Sequence, residues 1–126
     1  MFLIEVYIKE TKDKGLGVFA KKDIKKDTLI WEFIDGFDIK VHESKINYLN
    51  DVQKKFIDTY FWKEGEYYLS SCDHSIFQNH SSNPNSIPVG LNKMYASRDI
   101  KANEEILTNY SQFDDEYENY KNKLID

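Results

Sequence analysis

A chain of 126 residues is the size of one domain, and with 40% hydrophobic and 15% aromatic residues it can build a core without metal or disulfide staples. The formal net charge of −5 disfavours direct nucleic-acid binding, which needs a basic face, and suits a cationic partner such as a lysine-rich peptide. A single cysteine, Cys72, allows no internal disulfide and fits a reducing, intracellular compartment, cytoplasmic or nuclear, and no apolar run is long enough for a membrane span or a secretory signal.

In chain order, the β-branched run Phe2–Ile8 reads as a first strand. A charged turn, Lys9–Lys14, leads to Gly15-Leu16-Gly17 and then to the strand-like Val18-Phe19-Ala20. Two glycines flanking one residue permit positive φ or close approach of another group. No third glycine or helix follows, so the dinucleotide fingerprint is not matched. Thr28–Ile34 is the next strand. Here a repeat begins: VFAKKDIKKDTLI (Val18–Ile30) overlays MYASRDIKANEEI (Met94–Ile106) without a gap. Each copy reads as a strand–corner–strand unit, so the fold is expected to be small sheets built from similar β corners.

Ser44–Tyr60 has apolar residues Ile46, Leu49, Phe56, Ile57 and Tyr60 near helical spacing, with Ser44 as N-cap. Tyr67–Leu69 resumes a strand, Lys93–Ser97 and Glu105–Thr108 are two more, and Asp114–Leu124 reads as a terminal helix with Phe113, Tyr117, Tyr120 and Leu124 on one face. Acidic residues at its start and lysines at its end suit the helix dipole. Between these lies Ile76–Asn85, IFQNHSSNPN. It is too polar for a strand or packed helix, yet apolar Ile76 and Phe77 run into it. A polar turn that starts inside a fold must have its groups satisfied by backbone or ligand. Taken singly, Asn79, His80, the glycines and Tyr110 all have ordinary structural readings. Cys72, Asp73, His74 and His80 lack the thiolate number and spacing of a structural zinc site, and no metal is assigned.

Three signals stand in order: KGLGVFA, FQNHSSNPN and NEEILTNY. Together they resemble the SET domain of protein lysine methyltransferases, over Gly15 to about Phe113. The resemblance implies a mainly β, β-clip-like fold of several small twisted sheets with a C-terminal pseudoknot. It implies a single domain over residues 1–126, with a helical insert at about 40–66 and a C-terminal helical segment at 111–126. It implies S-adenosyl-L-methionine as cofactor, bound by Lys14, Gly15, Leu16, Gly17, Asn79 and His80, with Phe113 closing the site. Tyr110 matches the catalytic tyrosine. Tyr60, Trp62 and Thr108 are candidates for the substrate channel, Thr108 standing where many members have Phe or Tyr. The partner implied is a lysine-containing protein or peptide, histones included, and a homodimer is left open. This chain has Ser82, Ile76 and Asn103 where the family often has Cys, Arg and Gly, and it lacks flanking cysteine-rich segments. Two functions follow: a methyltransferase, or a SET-like module that binds a peptide or cofactor and recruits a partner.

Overall fold

The computed structural model describes residues 1–90 and 92–126. The strands are β1 (Val6–Glu10), β2 (Leu16–Ala20), β3 (Leu29–Glu32), β4 (Ile39–His42), β5 (Trp62–Glu64), β6 (Tyr67–Ser70), β7 (Asn79–His80), β8 (Ser86–Val89), β9 (Lys93–Ala96) and β10 (Leu107–Thr108). They form small sheets: β1–β2, β3–β9–β8 and β4–β6–β5, all antiparallel, and a short parallel pair, β7–β10. The mainly β architecture of small sheets is thus the one expected.

The repeat is the frame of the molecule. Ile24 and Ile100, its equivalent residues, exchange backbone bonds with each other, at 2.7 and 2.8 Å. Asp23 Oδ1 accepts the Ala102 N–H and Asp99 Oδ1 accepts the Lys26 N–H, each at 2.8 Å. Asp27 and Asn103, again equivalent, both have positive φ, 68° and 71°. Their N–H groups donate to Ala96 O and Ala20 O at 2.8 and 2.7 Å. The two corners are therefore joined about a local pseudo-dyad. The core follows the same symmetry. Ala20, Ile24 and Ile30 are buried with Ala96, Ile100 and Ile106, together with Met94 and Trp31. Asp and Asn tolerate the left-handed backbone that each corner needs.

Several boundaries differ from the sequence reading. Phe2 forms only a bridge to Trp31, and the regular strand starts at Val6. The expected helix over 44–60 is broken. Glu43–Tyr48 is a 3-10 helix, and α1 runs Asp51–Tyr60. Asn50 caps α1 in a capping box with Gln53, so the better cap lies after Leu49 and not at Ser44. The 40–66 region also contains β5 and most of β4, so it is a mixed insert. The terminal helix shrinks to α2 (Tyr117–Tyr120), flanked by 3-10 turns at Tyr110–Gln112 and Lys121–Lys123. Its aromatic residues are spent on the site described next and not on a helix face.

Candidate active site

The segment Glu104–Thr108 is held on both sides by the turn of residues 79–86. On one side β10 runs parallel to β7, with Leu107 opposite Asn79 and Thr108 opposite His80. On the other side fully buried Asn85 acts as a clamp. Its Nδ2 donates to Glu105 O at 2.8 Å and to Glu104 Oε2 at 2.9 Å, and its Oδ1 accepts the Leu107 N–H at 2.8 Å. Ser86 Oγ donates to Leu107 O at 2.8 Å. The polar turn is thus inside the fold because it replaces the sheet partners that β10 otherwise lacks.

The glycine pair divides the two tasks open to it. Gly15 has φ +71°. Gly17 is a close approach: a Cβ there would lie 2.7 Å from Thr11 Cγ2 and 2.9 Å from Glu105 Oε2. That approach brings Glu105 to Asn79, whose Nδ2 donates to Glu105 Oε2 and to Leu16 O, both at 3.0 Å. Lys14 Nζ donates to His80 O at 2.9 Å. Lys14, Leu16, Asn79 and His80 are therefore one cluster. Burial lowers the pKa of His80, with Lys14 adding to the effect and Asp126 opposing it. The imidazole is neutral at pH 7, and its Nδ1 accepts the Tyr110 N–H at 3.2 Å.

Tyr110 connects this cluster to a cavity. Its hydroxyl donates to Gln78 O at 2.6 Å. Burial, with Asp114 and Glu105 nearby, pushes its pKa up to about 12, so it stays a donor at neutral pH. Its ring faces a cavity of about 190 Å³ that is also lined by Tyr60, Trp62, Thr108 and Phe113. Phe113 bridges the wall, with ring centroids 5.9 Å from both Tyr110 and Trp62. Trp31 closes the wall edge-on to Trp62 at 6.0 Å. Thr108 is 2% exposed, and its Oγ1 has no hydrogen-bond partner among the described residues. Thr108 borders the cavity, but its hydroxyl is packed away in the wall.

A family model for the SET domain matches residues 15–111. The chain belongs to the SET domain family. Among curated relatives of this SET domain, the variant-silencing SET domain-containing protein of Plasmodium falciparum is 34% identical over 87% of the chain. A histone-lysine N-methyltransferase of Candida glabrata, H3 lysine-36 specific, is 34% identical over 81%. The chain spans only 5% and 16% of the lengths of these two relatives. A crystal structure from Plasmodium falciparum, assigned as a histone methyltransferase, superposes with a TM-score of 0.59 at 25% identity, covering 84% of this chain and 96% of that one.

In this SET domain the expected residues fall into two groups that meet at Tyr110. Lys14, Leu16, Asn79 and His80 form one, with Gly15 and Gly17 shaping their strand. Tyr60, Trp62 and Thr108 form the other. Phe113, expected to close the cofactor site, packs on Tyr110, where the groups meet, and on Trp62 in the cavity wall. The rings that lie on His80 are Tyr110, at 5.2 Å, and Tyr117, at 5.8 Å. Asp126 reaches the same face, accepting the Ser82 N–H at 2.8 Å. Sequence reasoning gave no role to Asn85, Gln78, Glu105 or Tyr117. The signal that could have found Asn85 is the need to satisfy a buried polar turn, and the close approach that a strand glycine permits could have led to a neighbour of Gly17 such as Glu105. Gln78 acts through a carbonyl, which every residue carries, so nothing in its identity marks it.

Proposed function

We propose that the chain is an S-adenosylmethionine-dependent methyltransferase that acts on the side-chain amine of a lysine in a protein or peptide. The observation that carries this is Tyr110, tied through its backbone to His80 and through its hydroxyl to Gln78, with its ring at the wall of an aromatic cavity. The names of the Candida glabrata and Plasmodium falciparum relatives support the same reading.

The donor set fits the cofactor. The Lys14 ammonium, the Asn79 amide and the backbone of residues 14–17 are polar groups suited to a zwitterionic amino-acid end. Asn79 Oδ1 has no bond among the described residues. Tyr117, packed against the buried His80 ring, is an aromatic group suited to a heterocycle. When bound, S-adenosylmethionine supplies a methyl group already activated on a sulfonium centre. Lys14, Leu16, Asn79 and His80 would hold it on their side of Tyr110.

The chain's own residues then have three tasks. Trp62, Phe113 and Tyr60 wall the acceptor stem and exclude water. That burial disfavours the ammonium form and lowers the acceptor pKa, so a neutral amine is reached without a strong base. Tyr110 orients the amine beside Thr108, and alignment supplies most of the rate. The test is incubation of the protein with methyl-labelled cofactor and lysine-containing protein mixtures. Label on lysine that is lost in Tyr110→Phe supports the reading. Label absent across substrates, with cofactor bound, refutes it.

A further inference from the structure

The aromatic lining of the cavity is richer than a water-tight wall needs. Trp31, Trp62, Phe113 and Tyr110 follow one another with ring centroids 6.0, 5.9 and 5.9 Å apart, turned by 69°, 84° and 69°. Rings at such angles form corners and do not stack flat. Tyr60 and Tyr120 line the same cavity, of about 190 Å³. The face of an aromatic ring is the negative side of its quadrupole and attracts a cation. Elsewhere the chain uses this attraction itself: Lys9 lies over Phe19, Lys40 over Tyr67 and Lys63 over Tyr68. None of these lysine–ring pairs, among the described residues, takes a ring of the cavity.

The other groups of the cavity favour a cation of one kind. Asp58, Glu64 and Asp114 line it against Lys93 alone. Burial first, and then the charges of Asp114 and Glu105, raise the pKa of Tyr110, so a negative field reaches that end of the cavity. Asp114 spends its oxygens on the Lys63 and Glu116 N–H groups and the Tyr120 hydroxyl, and so acts on the cavity through its field. The Tyr110 proton is committed to Gln78 O, and the Thr108 hydroxyl is packed in the wall. Neither aims a proton at a cation. A lysine ammonium has three N–H donors that must find acceptors when it leaves water. A trimethylammonium has none, keeps its charge at every pH, and is satisfied by aromatic faces.

Each transfer also moves positive charge into this cavity. The lone pair of the neutral amine forms the new N–C bond, the pair of the broken S–C bond stays on sulfur, and the charge passes from sulfur to nitrogen. After a third transfer nitrogen has no proton left to lose, and the charge remains. We propose that the aromatic cavity is also a binding site for the methylated side chain, holding trimethyllysine in preference to lysine and to a neutral side chain of the same shape. The binding is a property of the cavity alone. That the ligand is the chain's own product rests on the methyltransferase reading, and a chain that does both reads the mark it writes.

The test uses the full chain and three peptides of one sequence with neutral flanking residues. They differ at one position, which is lysine, trimethyllysine, or the neutral isostere of trimethyllysine with carbon in place of nitrogen. Affinity is measured by fluorescence anisotropy, with the protein alone and with S-adenosylhomocysteine, and read in the tighter condition. Turnover is measured separately, on lysine-containing protein mixtures with methyl-labelled cofactor. Trimethyllysine should bind about tenfold or more tightly than either lysine or the isostere. Phe113→Leu keeps an apolar wall but removes a ring face, and should cut the preference over the isostere about threefold or more. Tyr48→Leu, at an exposed ring away from the cavity, should leave it unchanged. Trp62→Phe, which keeps a ring with a weaker face, serves as the second variant, with partial loss, should Phe113→Leu melt early. Equal affinity for trimethyllysine and lysine, an isostere that binds as tightly as trimethyllysine, or a preference that survives both variants overturns the inference, and turnover in that case leaves the methyltransferase standing. Ring-dependent preference for trimethyllysine without turnover of any lysine supports the inference and overturns the methyltransferase. Failure to bind any peptide and to turn over any lysine overturns both.

Discussion

Tyr110 is the residue on which the catalytic reading turns. Tyr110→Phe keeps the ring and its packing but leaves the Gln78 carbonyl without its 2.6 Å donor. The stability cost should be about 1 kcal/mol. The loss in kcat should be on the order of a hundredfold, or roughly 2–3 kcal/mol of barrier, with smaller changes in peptide and cofactor affinity. Tyr48→Phe, at a residue that is 85% exposed, is the control. Normal turnover in a well-folded Tyr110→Phe protein would remove the assignment. Thr108 carries a different prediction. Its hydroxyl is buried without a partner, so Thr108→Val should melt no lower than wild type. Thr108→Phe fills the space beside the amine and should lower the highest methylation state, read by mass spectrometry, without abolishing the first transfer. An unchanged product distribution would show that Thr108 does not border the amine. His80 gives the pH prediction. Burial holds its pKa below the ordinary 6.5, so below that pH the unfolded chain binds a proton that the folded chain resists. Stability should therefore fall as pH drops from 6.5 towards the depressed value. His80→Gln should flatten that part of the melting-temperature profile, and parallel profiles for the two proteins would contradict it.

At the scale of elements, the site depends on β10 being threaded between β7 and the Asn85 clamp. Asn85→Ala removes the acceptor for the Leu107 N–H and the donors to Glu104 and Glu105. With buried backbone groups orphaned, the cost should be about 3 kcal/mol, and amide exchange at Leu107 and Thr108 should rise first. Uniform exchange across the chain, or a cost within about 0.5 kcal/mol, would mean that β7 alone holds the strand. The same elements show what was legible in sequence. The ordered motifs located the turn, the glycines and Tyr110, because each has a demanding chemistry in a short span. Strand and helix ends were less legible. The periodicity of Ile46, Leu49 and Ile57 runs through the break at Leu49–Asn50, since a 3-10 turn and an α turn put similar residues inward over a short stretch. Strands β5 and β8 escaped notice. Trp-Lys-Glu and Ser-Ile-Pro-Val have little strand character of their own and are strands because β6 and β9 pair with them. The packing of Phe113 against both Tyr110 and Trp62 is not legible in sequence, because it depends on the turn Tyr110–Gln112.

For the molecule as a whole, the pseudo-dyad gives a prediction that a chance similarity would not. Asp23 and Asp99 occupy equivalent corners, and each accepts one backbone N–H of the opposite copy at 2.8 Å. Both corners are exposed, so the aspartates act by capping and not by filling the core. Removing either should cost about 1 kcal/mol, the usual worth of a side-chain acceptor on an exposed backbone donor. The equality of the two costs is the point of interest. Asp23 lies in the first third of the chain and Asp99 near the end, yet the bonds they make close the same joint between Ile24 and Ile100. Because both aspartates brace one joint, their effects should not add. Once Asp23→Ala has loosened the Ile24–Ile100 pair, the second substitution has less to lose, and the double variant should fall short of the sum by more than about 0.5 kcal/mol. Denaturant unfolding of the two single variants and the double variant measures this directly. Turnover of the single variants should stay near wild type, since neither aspartate lines the cavity or touches Asn79 or His80. Clearly unequal single costs, or strict additivity, would reduce the repeat to a sequence resemblance that the energetics of folding do not share.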